Sequence, residues 1–160
     1  FKRQVRNPVS LAKVNGNYVT SIVALNEALE AGFDEALMLD AEDNVAEGSG
    51  ENFFIVKNGV LKTPDLDASL DGITRRTIIQ LAEDKGIGVE IKKIKLDEVL
   101  ESDEAFFTGT AAEVVPINSV DNLVLGNGSR GPITKILQST YFDQVRGLRD
   151  ENSNWHSYVR

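Results

Sequence analysis

Four short stretches of this sequence place reactive or ligand-binding groups beside glycines. They are LAKVNGNYV (11–19), EGSGEN (47–52), DGITR (71–75) and FFTGTAAE (106–113). In this order they offer a lysine amine, carboxylates around a Gly-Ser-Gly turn, a helix N-terminus that favours an anion, and a Gly-Thr turn with a hydroxyl. Each stretch taken alone also fits a plainer interpretation: a surface lysine, an exposed turn, a helix cap and a strand bulge. Their spacing alone does not choose between these interpretations.

The composition excludes several classes of function. The formal net charge is -8 and the pI is about 4.7, so no basic face for nucleic acid is visible. Cysteine is absent and His156 is the single histidine, which argues against a disulfide framework, a thiolate nucleophile, a metal site and a Ser-His-Asp triad. No apolar stretch approaches the roughly 18 to 20 residues of a membrane span, and no signal peptide is recognisable. We therefore expect a cytoplasmic protein that acts on small molecules, with no metal, membrane or nucleic acid.

Apolar periodicity predicts helices and strands that alternate around these stretches. Helices are expected over 18–31, 71–86 and 96–103 and from Pro132 to about Arg146. Strands are expected over 35–40, over 53–63 with a turn at Asn58-Gly59, over 88–95, and over 104–117 with a break at Gly109-Thr110. This alternation is typical of an α/β or mixed α+β domain, and 160 residues suffice for one such domain.

The four stretches supply the protein groups that pyridoxal phosphate requires: a Schiff-base lysine, an acid at the pyridine nitrogen and a phosphate cradle. The chain also resembles the C-terminal, larger domain of the fold type IV pyridoxal-phosphate enzymes, and within them the branched-chain amino acid aminotransferases. The resemblance runs, in matching order and spacing, through AKVNGNY (12–18), VAEGSGENFF (45–54), GITRRTII (72–79), TGTAAEVVPI (108–117) and GPITKILQ (131–138). It implies the D-amino acid aminotransferase-like fold, a barrel-like mixed sheet with flanking helices.

The resemblance also implies an activity and roles for individual residues. The activity is transfer of the amino group from leucine, isoleucine or valine to 2-oxoglutarate. Lys13 would form the Schiff base and move the proton between the substrate α-carbon and the cofactor's C4′. Glu47 would pair with the pyridine nitrogen and keep the ring protonated as an electron sink. Tyr18 would hydrogen-bond the cofactor's phenolic oxygen, and Leu70 would pack on the ring face.

Two turns would bind the anionic groups of cofactor and substrate, according to the same resemblance. The phosphate would sit on the N–H groups of Ile73 and Thr74, and the Thr110 hydroxyl would add a bond. Gly72 and Gly109 are also implied to bind the cofactor, and the substrate carboxylate would face the backbone of Thr110 and Ala111. Glu51 and Asn52 receive no cofactor role and are expected to support their loop structurally. Arg75 and Arg76 are expected to lie on the helix surface.

The resemblance covers one of the two domains of the family. In the family, a smaller N-terminal domain supplies an arginine that grips the phosphate and several residues of the substrate pocket. The chain begins at Phe1, and we expect residues 1–160 to be the C-terminal cofactor-binding domain, with the small N-terminal domain absent. We therefore expect weak cofactor binding and little turnover from this chain alone, and a homo-oligomer for the full-length enzyme.

Three alternatives remain open. D-amino acid aminotransferase and aminodeoxychorismate lyase share the lysine, the glutamate and the Gly-Ile-Thr. The Gly-Ser-Gly-Glu-Asn that follows Glu47, the Asn-Gly-Asn-Tyr that closely follows Lys13, and Trp155 favour the branched-chain enzymes. The third alternative is a non-catalytic domain that retains the fold, and the presence of both Lys13 and Glu47 argues against it.

Overall fold

The computed structural model describes residues 12–157 and residue 159. Within that part of the chain there are four α-helices, two 3-10 helices and ten β-strands. The α-helices are α1 (Val19–Glu30), α2 (Ile73–Asp84), α3 (Leu96–Leu100) and α4 (Pro132–Val145), and the 3-10 helices are Asn15–Tyr18 and Ser153–Trp155. The strands are β1 (Leu37–Leu39), β2 (Asn44–Gly48), β3 (Asn52–Lys57), β4 (Val60–Thr63), β5 (Val89–Ile91), β6 (Ile94–Lys95), β7 (Glu104–Gly109), β8 (Glu113–Ile117), β9 (Ser119–Val120) and β10 (Leu123–Val124). None of the helices in the described part is long and apolar enough to cross a membrane.

The strands of the described residues form three hydrogen-bonded sheets. The largest has five strands in the order β5-β4-β3-β7-β8, and its pairs are antiparallel except for the parallel pair β4–β5. A three-stranded antiparallel sheet has the order β1-β2-β6, and β9 pairs with β10. The mixed α/β fold class predicted from the sequence is confirmed.

The five-stranded sheet is buried on both faces at its centre. Along β3, Phe54 and Val56 belong to a hydrophobic cluster with residues of α2 and α4, whereas Phe53 and Ile55 belong to a second cluster with residues of β2, β6 and α3. Because successive side chains of a strand point to opposite faces, β3 lies between two layers. This explains why residues 53–56 are all apolar instead of alternating with polar ones.

Two aromatic pairs fix β3 beside β7. Phe53 lies opposite Phe107 and Phe54 lies opposite Phe106 in the antiparallel register. The ring centroids are 5.7 Å and 5.0 Å apart, respectively. Such pairs contribute about 0.5–1.5 kcal/mol each beyond the burial of their area. They hold the first residues of β3 next to the last residues of β7, where the candidate site lies.

The local signals for turns and helix ends are confirmed. Asn58 and Gly59 have φ angles of 51° and 79°, as both central residues of a type I′ hairpin turn require. Gly86 has a φ of 70° and follows the end of α2. Pro132 occupies the first turn of α4, where its missing N–H has no intrahelical acceptor to lose.

Two parts of the sequence prediction are wrong. Residues 88–95 were expected to form one strand, but they form β5 and β6, which belong to different sheets. The apolar residues lie at positions 89, 91 and 94, so the alternation changes phase at Lys92-Lys93, where the chain passes between the sheets. No strand was expected over residues 44–48, which form β2; because all five of its residues are buried, the strand offers no alternation to detect.

Candidate active site

Glu47 is a buried carboxylate near the end of β2. It is 3% exposed and lies opposite Met38 of β1. Its Oε2 atom accepts hydrogen bonds from the backbone N–H of Leu70 at 2.7 Å and from the side-chain amide of Asn52 at 3.4 Å. A buried carboxylate is costly unless donors or a positive charge compensate it. These two donors therefore help to hold the acid of the site in a defined position.

Asn52 contacts Glu47, which was not predicted from the sequence. It is the first residue of β3, is 5% exposed and lies opposite Thr108 of β7. Its Nδ2 atom donates to the Leu70 carbonyl at 2.7 Å as well as to Glu47. The sequence contained one signal: an amide side chain five residues after the acid, where the apolar strand begins.

Gly48 packs against an aromatic ring of the protein itself. A Cβ at this position would lie 3.0 Å from Cε1 of Phe107, whereas a Cβ at Gly50 would meet no atom within 4 Å. The Gly48 N–H donates to the Glu51 carbonyl at 2.7 Å and closes the turn between β2 and β3. The absence of a side chain at Gly48 thus allows this turn to pack tightly beside β7.

The N-terminus of α2 lies beside this acid. Its N-cap residue, Gly72, has no side chain that could cap the helix. The first helical residue, Ile73, is 82% exposed. The first N–H groups of a helix have no intrahelical acceptor, and together with the helix dipole they favour an anion.

Thr74 is 5% exposed and hydrogen-bonds Tyr141; burial raises the pKa of Tyr141, and this bond opposes the shift.

Gly72 has no room for a side chain unless Asn52 moves. Its φ and ψ angles are -70° and 143°, a conformation that any residue adopts. A Cβ added there, however, would lie 2.1 Å from Oδ1 of Asn52. The Gly72 N–H donates to the Leu70 carbonyl at 2.9 Å, the same oxygen that Asn52 binds. The start of α2 and the carboxylate of Glu47 are therefore joined through one amide side chain.

The turn between β7 and β8 lies against the turn that follows Glu47. A Cβ at Gly109 would be 3.7 Å from the Gly50 carbonyl oxygen and 3.8 Å from Cγ of Glu51. Thr110 and Ala111 are exposed at the tip of this turn. The structure thus brings the predicted residue Gly109 beside the turn that follows Glu47.

Lys13 and Tyr18 lie near the beginning of the described chain. Lys13 is exposed and precedes the 3-10 helix Asn15–Tyr18, in which Tyr18 is half-buried. The roles predicted for Lys13 and Tyr18 stay predictions.

The expectation of a surface role is wrong for Arg75. This residue is 3% exposed, and its Nη2 atom donates to the Pro64 carbonyl at 3.0 Å. Burial lowers the pKa of the Arg75 guanidinium, and the charge of Asp71 opposes the shift. Arg76, in contrast, is exposed and forms an ion pair with Asp71, as expected for the helix surface.

A second acidic side chain lies beside the turn that follows Glu47. Burial, and then the charge of Glu35, raise the pKa of Glu51 above its ordinary value of 4.5. The Glu35 carboxylate accepts hydrogen bonds from the backbone N–H groups of Ser49 and Ala36 at 3.2 Å and 2.6 Å. Among the described residues, no group of three or more histidine, cysteine, aspartate or glutamate side chains could hold a metal ion.

Comparison with known families identifies the class of protein. Residues 2–120 match the family model of amino-transferase class IV, which covers most of the chain. The chain belongs to the class IV aminotransferase family. The family resemblance drawn from the motifs is thus confirmed.

This class IV aminotransferase chain is similar to proteins named branched-chain-amino-acid aminotransferase. It is 51% identical to the Pseudomonas aeruginosa protein over 99% of this chain and 52% of the relative. It is 41% identical to the Escherichia coli (strain K12) protein over 92% of this chain and 48% of the relative.

Solved structures of such proteins have the same fold. The branched-chain amino acid aminotransferase from Thermobaculum terrenum, in its PLP-bound holo form, superposes with a TM-score of 0.89 at 41% identity, over 91% of this chain and 48% of that chain. The Escherichia coli enzyme gives a TM-score of 0.93 at 39% identity, over 97% of this chain and 53% of that chain. The class IV aminotransferase chain spans about half the length of the relatives that it matches.

Proposed function

We propose that this chain forms the cofactor-binding part of a pyridoxal-phosphate-dependent aminotransferase for branched-chain L-amino acids, with 2-oxoglutarate as amino acceptor. The observation that carries the proposal is the buried carboxylate of Glu47, held by the segment that leads directly into the uncapped start of α2. The names of the relatives support the substrate class. Solved branched-chain aminotransferases complexed with a phosphopyridoxyl-glutamate adduct and with pyridoxamine 5′-phosphate support the cofactor.

The described residues fit the two ends of such a cofactor. Glu47 offers a buried carboxylate to a protonated ring nitrogen, and the desolvation of that carboxylate favours a positively charged partner. The exposed start of α2 offers N–H groups to a phosphate, and its N-cap is a glycine whose missing Cβ leaves space beside Asn52. The two ends are connected by hydrogen bonds through Leu70.

The bound cofactor would supply an electron sink that stabilises negative charge at the substrate α-carbon. Lys13 would bind the cofactor covalently through its amine and then move a proton between the α-carbon and C4′. Glu47 would keep the ring nitrogen protonated, Tyr18 would donate to the phenolic oxygen, and Leu70 would pack on the ring face.

The two turns would hold the anionic groups. The N–H groups of Ile73 and Thr74 and the Thr110 hydroxyl would bind the phosphate, and Gly72 and Gly109 would also contact the cofactor. The backbone of Thr110 and Ala111 would face the substrate carboxylate. The position of Gly109 beside the turn that follows Glu47 supports this arrangement.

We also propose that residues 1–160 act as the C-terminal domain of a larger cytoplasmic enzyme. A smaller N-terminal domain would complete the phosphate and substrate sites, and the complete enzyme would be a homo-oligomer. On this proposal the chain alone binds the cofactor weakly and turns over slowly. The lengths of the relatives agree with it, because each is about twice as long as the segment matched here.

Single-turnover kinetics on the full gene product tests the proposal. Loaded with pyridoxal phosphate, it should react with L-leucine, L-isoleucine and L-valine, and 2-oxoglutarate should reverse the absorbance change. Lys13→Ala should abolish the reaction, whereas Lys93→Ala, which removes an exposed amine paired with Glu42, should not. Selective reaction with D-alanine would instead indicate a D-amino acid aminotransferase, and release of pyruvate from aminodeoxychorismate would indicate the lyase. A wild-type rate in Lys13→Ala would contradict the assigned chemistry.

A further inference from the structure

The side chain of Asn52 forms a ring of hydrogen bonds with Glu47 and Leu70. Its Nδ2 atom donates to Oε2 of Glu47 at 3.4 Å and to the carbonyl of Leu70 at 2.7 Å. The backbone N–H of Leu70 donates to the same Oε2 atom at 2.7 Å. A side-chain amide has two N–H donors, so both donors of Asn52 are used within the site.

The oxygen of the same amide lies against the start of α2. A Cβ on Gly72 would fall 2.1 Å from Oδ1 of Asn52, so this oxygen occupies the space that a larger residue would need. The Leu70 carbonyl accepts from the Gly72 N–H as well as from Asn52. One side chain therefore contacts both the acid and the residue that precedes the first helical N–H groups.

We propose that Asn52 is the positioning residue that couples the ring-nitrogen end of this site to its phosphate end. The inference rests on the proposed function for the identity of the two ends. Asn52 holds Oε2 of Glu47 in place and fixes the Leu70–Gly72 segment at the same time. An aspartate at this position would put a like charge beside Glu47 and lose both donors, so the amide is required chemically as well as sterically.

The test compares variants of the full gene product that disturb this amide with one that removes a similar bond elsewhere. Asn52→Ala deletes the amide, and Gly72→Ala displaces it without changing it. The matched control is Asn44→Ala, because Asn44 is also a buried asparagine whose Nδ2 donates to a carboxylate, that of Asp40, at 2.8 Å. Asn44 lies on the same strand as Glu47, at its opposite end.

The first readout needs no cofactor. Hydrogen exchange of the Leu70 N–H should be at least about tenfold faster in Asn52→Ala than in Asn44→Ala. The reason is that the bond from this N–H to the charged Glu47 carboxylate contributes roughly 1.4 kcal/mol, which corresponds to a factor of ten. Gly72→Ala should show the same acceleration, so a failure of Asn52→Ala to fold does not remove the test. Equal exchange in Asn52→Ala and Asn44→Ala would overturn the proposal.

The second readout uses pyridoxamine 5′-phosphate labelled with ¹⁵N in the ring. The pH at which the bound ring nitrogen loses its proton should fall by about one unit in Asn52→Ala and stay unchanged in Asn44→Ala. The affinity ratio of pyridoxamine 5′-phosphate to pyridoxamine should fall severalfold in Asn52→Ala but not in Glu47→Gln, because glutamine keeps a side-chain oxygen that can accept from the Leu70 N–H. An unchanged ratio in Asn52→Ala would refute the coupling. If wild-type protein binds neither compound, the proposed function fails, and the exchange measurement still decides whether Asn52 positions Glu47 and Leu70.

Discussion

Replacing Gly72 by alanine tests the packing between the start of α2 and Asn52. The added Cβ would lie 2.1 Å from Oδ1 and 3.3 Å from Cγ of Asn52. Non-bonded heavy atoms settle at about 3.5–4.0 Å, so the amide must move by more than about 1 Å. A movement of that size breaks its hydrogen bonds to Glu47 and to the Leu70 carbonyl.

The expected loss of stability follows from those two bonds. The 2.7 Å bond to the Leu70 carbonyl contributes about 1 kcal/mol, and the longer bond to the carboxylate adds at most about 1.5 kcal/mol. Gly72 has φ and ψ angles that alanine adopts without strain, so the lower entropy of the unfolded chain offsets about 0.4–1 kcal/mol. We therefore expect Gly72→Ala to lower the free energy of unfolding by about 1–2 kcal/mol.

A double-mutant cycle separates this contact from other effects of the alanine. In an Asn52→Ala background, the next neighbour of the added methyl group is Cβ of Arg75 at 3.8 Å, an ordinary van der Waals distance. Gly72→Ala should then stabilise the fold by about 0.4–1 kcal/mol, so the coupling energy equals the loss of the two hydrogen bonds, about 1–2.5 kcal/mol. The assay is denaturant unfolding of the wild type, both single variants and the double variant at one pH. Losses that add to within about 0.5 kcal/mol would refute the steric argument.

Three further substitutions test the acidic groups of the chain. Glu47→Gln in the full gene product should leave cofactor attachment at Lys13 largely intact and slow proton transfer by orders of magnitude in stopped-flow absorbance with L-leucine; a wild-type rate would show that another group serves the ring nitrogen. Glu51→Gln should raise the melting temperature at neutral pH: the raised pKa of Glu51 means that its charged form destabilises the fold as the pH rises above the ordinary value of 4.5. This gain should disappear below pH 4.5. A constant gain at every pH would contradict the destabilising effect assigned to the charged form of Glu51. Glu104→Ala should lower the free energy of unfolding by about 1–3 kcal/mol. Glu104 is 6% exposed, and its carboxylate accepts hydrogen bonds from two backbone N–H groups in the first turn of α4, at 3.0 Å and 2.7 Å. Glu101→Ala, at an exposed position, serves as the control.

The features that local sequence determines were predictable. Asn58-Gly59 requires two positive φ angles that few residue pairs tolerate, so it predicts the hairpin between β3 and β4 by itself. Gly86 and Pro132 mark helix ends for equally local reasons. The split of residues 88–95 was visible as a change of phase at Lys92-Lys93, but the separation of the two strands into different sheets depends on distant partners.

The inward position of Arg75 illustrates two signals in conflict. It lies three and seven residues before Ile78 and Ala82, which are both buried, so the helical periodicity places it on the buried face of α2. Its charge argued for the surface. The structure resolves the conflict with the Pro64 carbonyl, an acceptor eleven residues away that no local pattern identifies.

The candidate site was inferred from family resemblance more than from physical reasoning. Nothing in the local sequence requires Glu47 to be buried, because its position depends on donors that lie five and 23 residues farther along the chain. The part of Asn52 in the site was missed for the same reason: its contacts with Leu70 and Gly72 form only when β3 and the start of α2 come together.

Trapping the cofactor on the protein tests the central claim most directly. The full gene product is incubated with pyridoxal phosphate, reduced with borohydride and digested with trypsin. A modified Lys13 is no longer cleaved, so residues 7–57 should appear as one peptide that carries the cofactor mass, in place of peptides 7–13 and 14–57. Cofactor mass on other lysines, with normal cleavage after Lys13, would contradict the account.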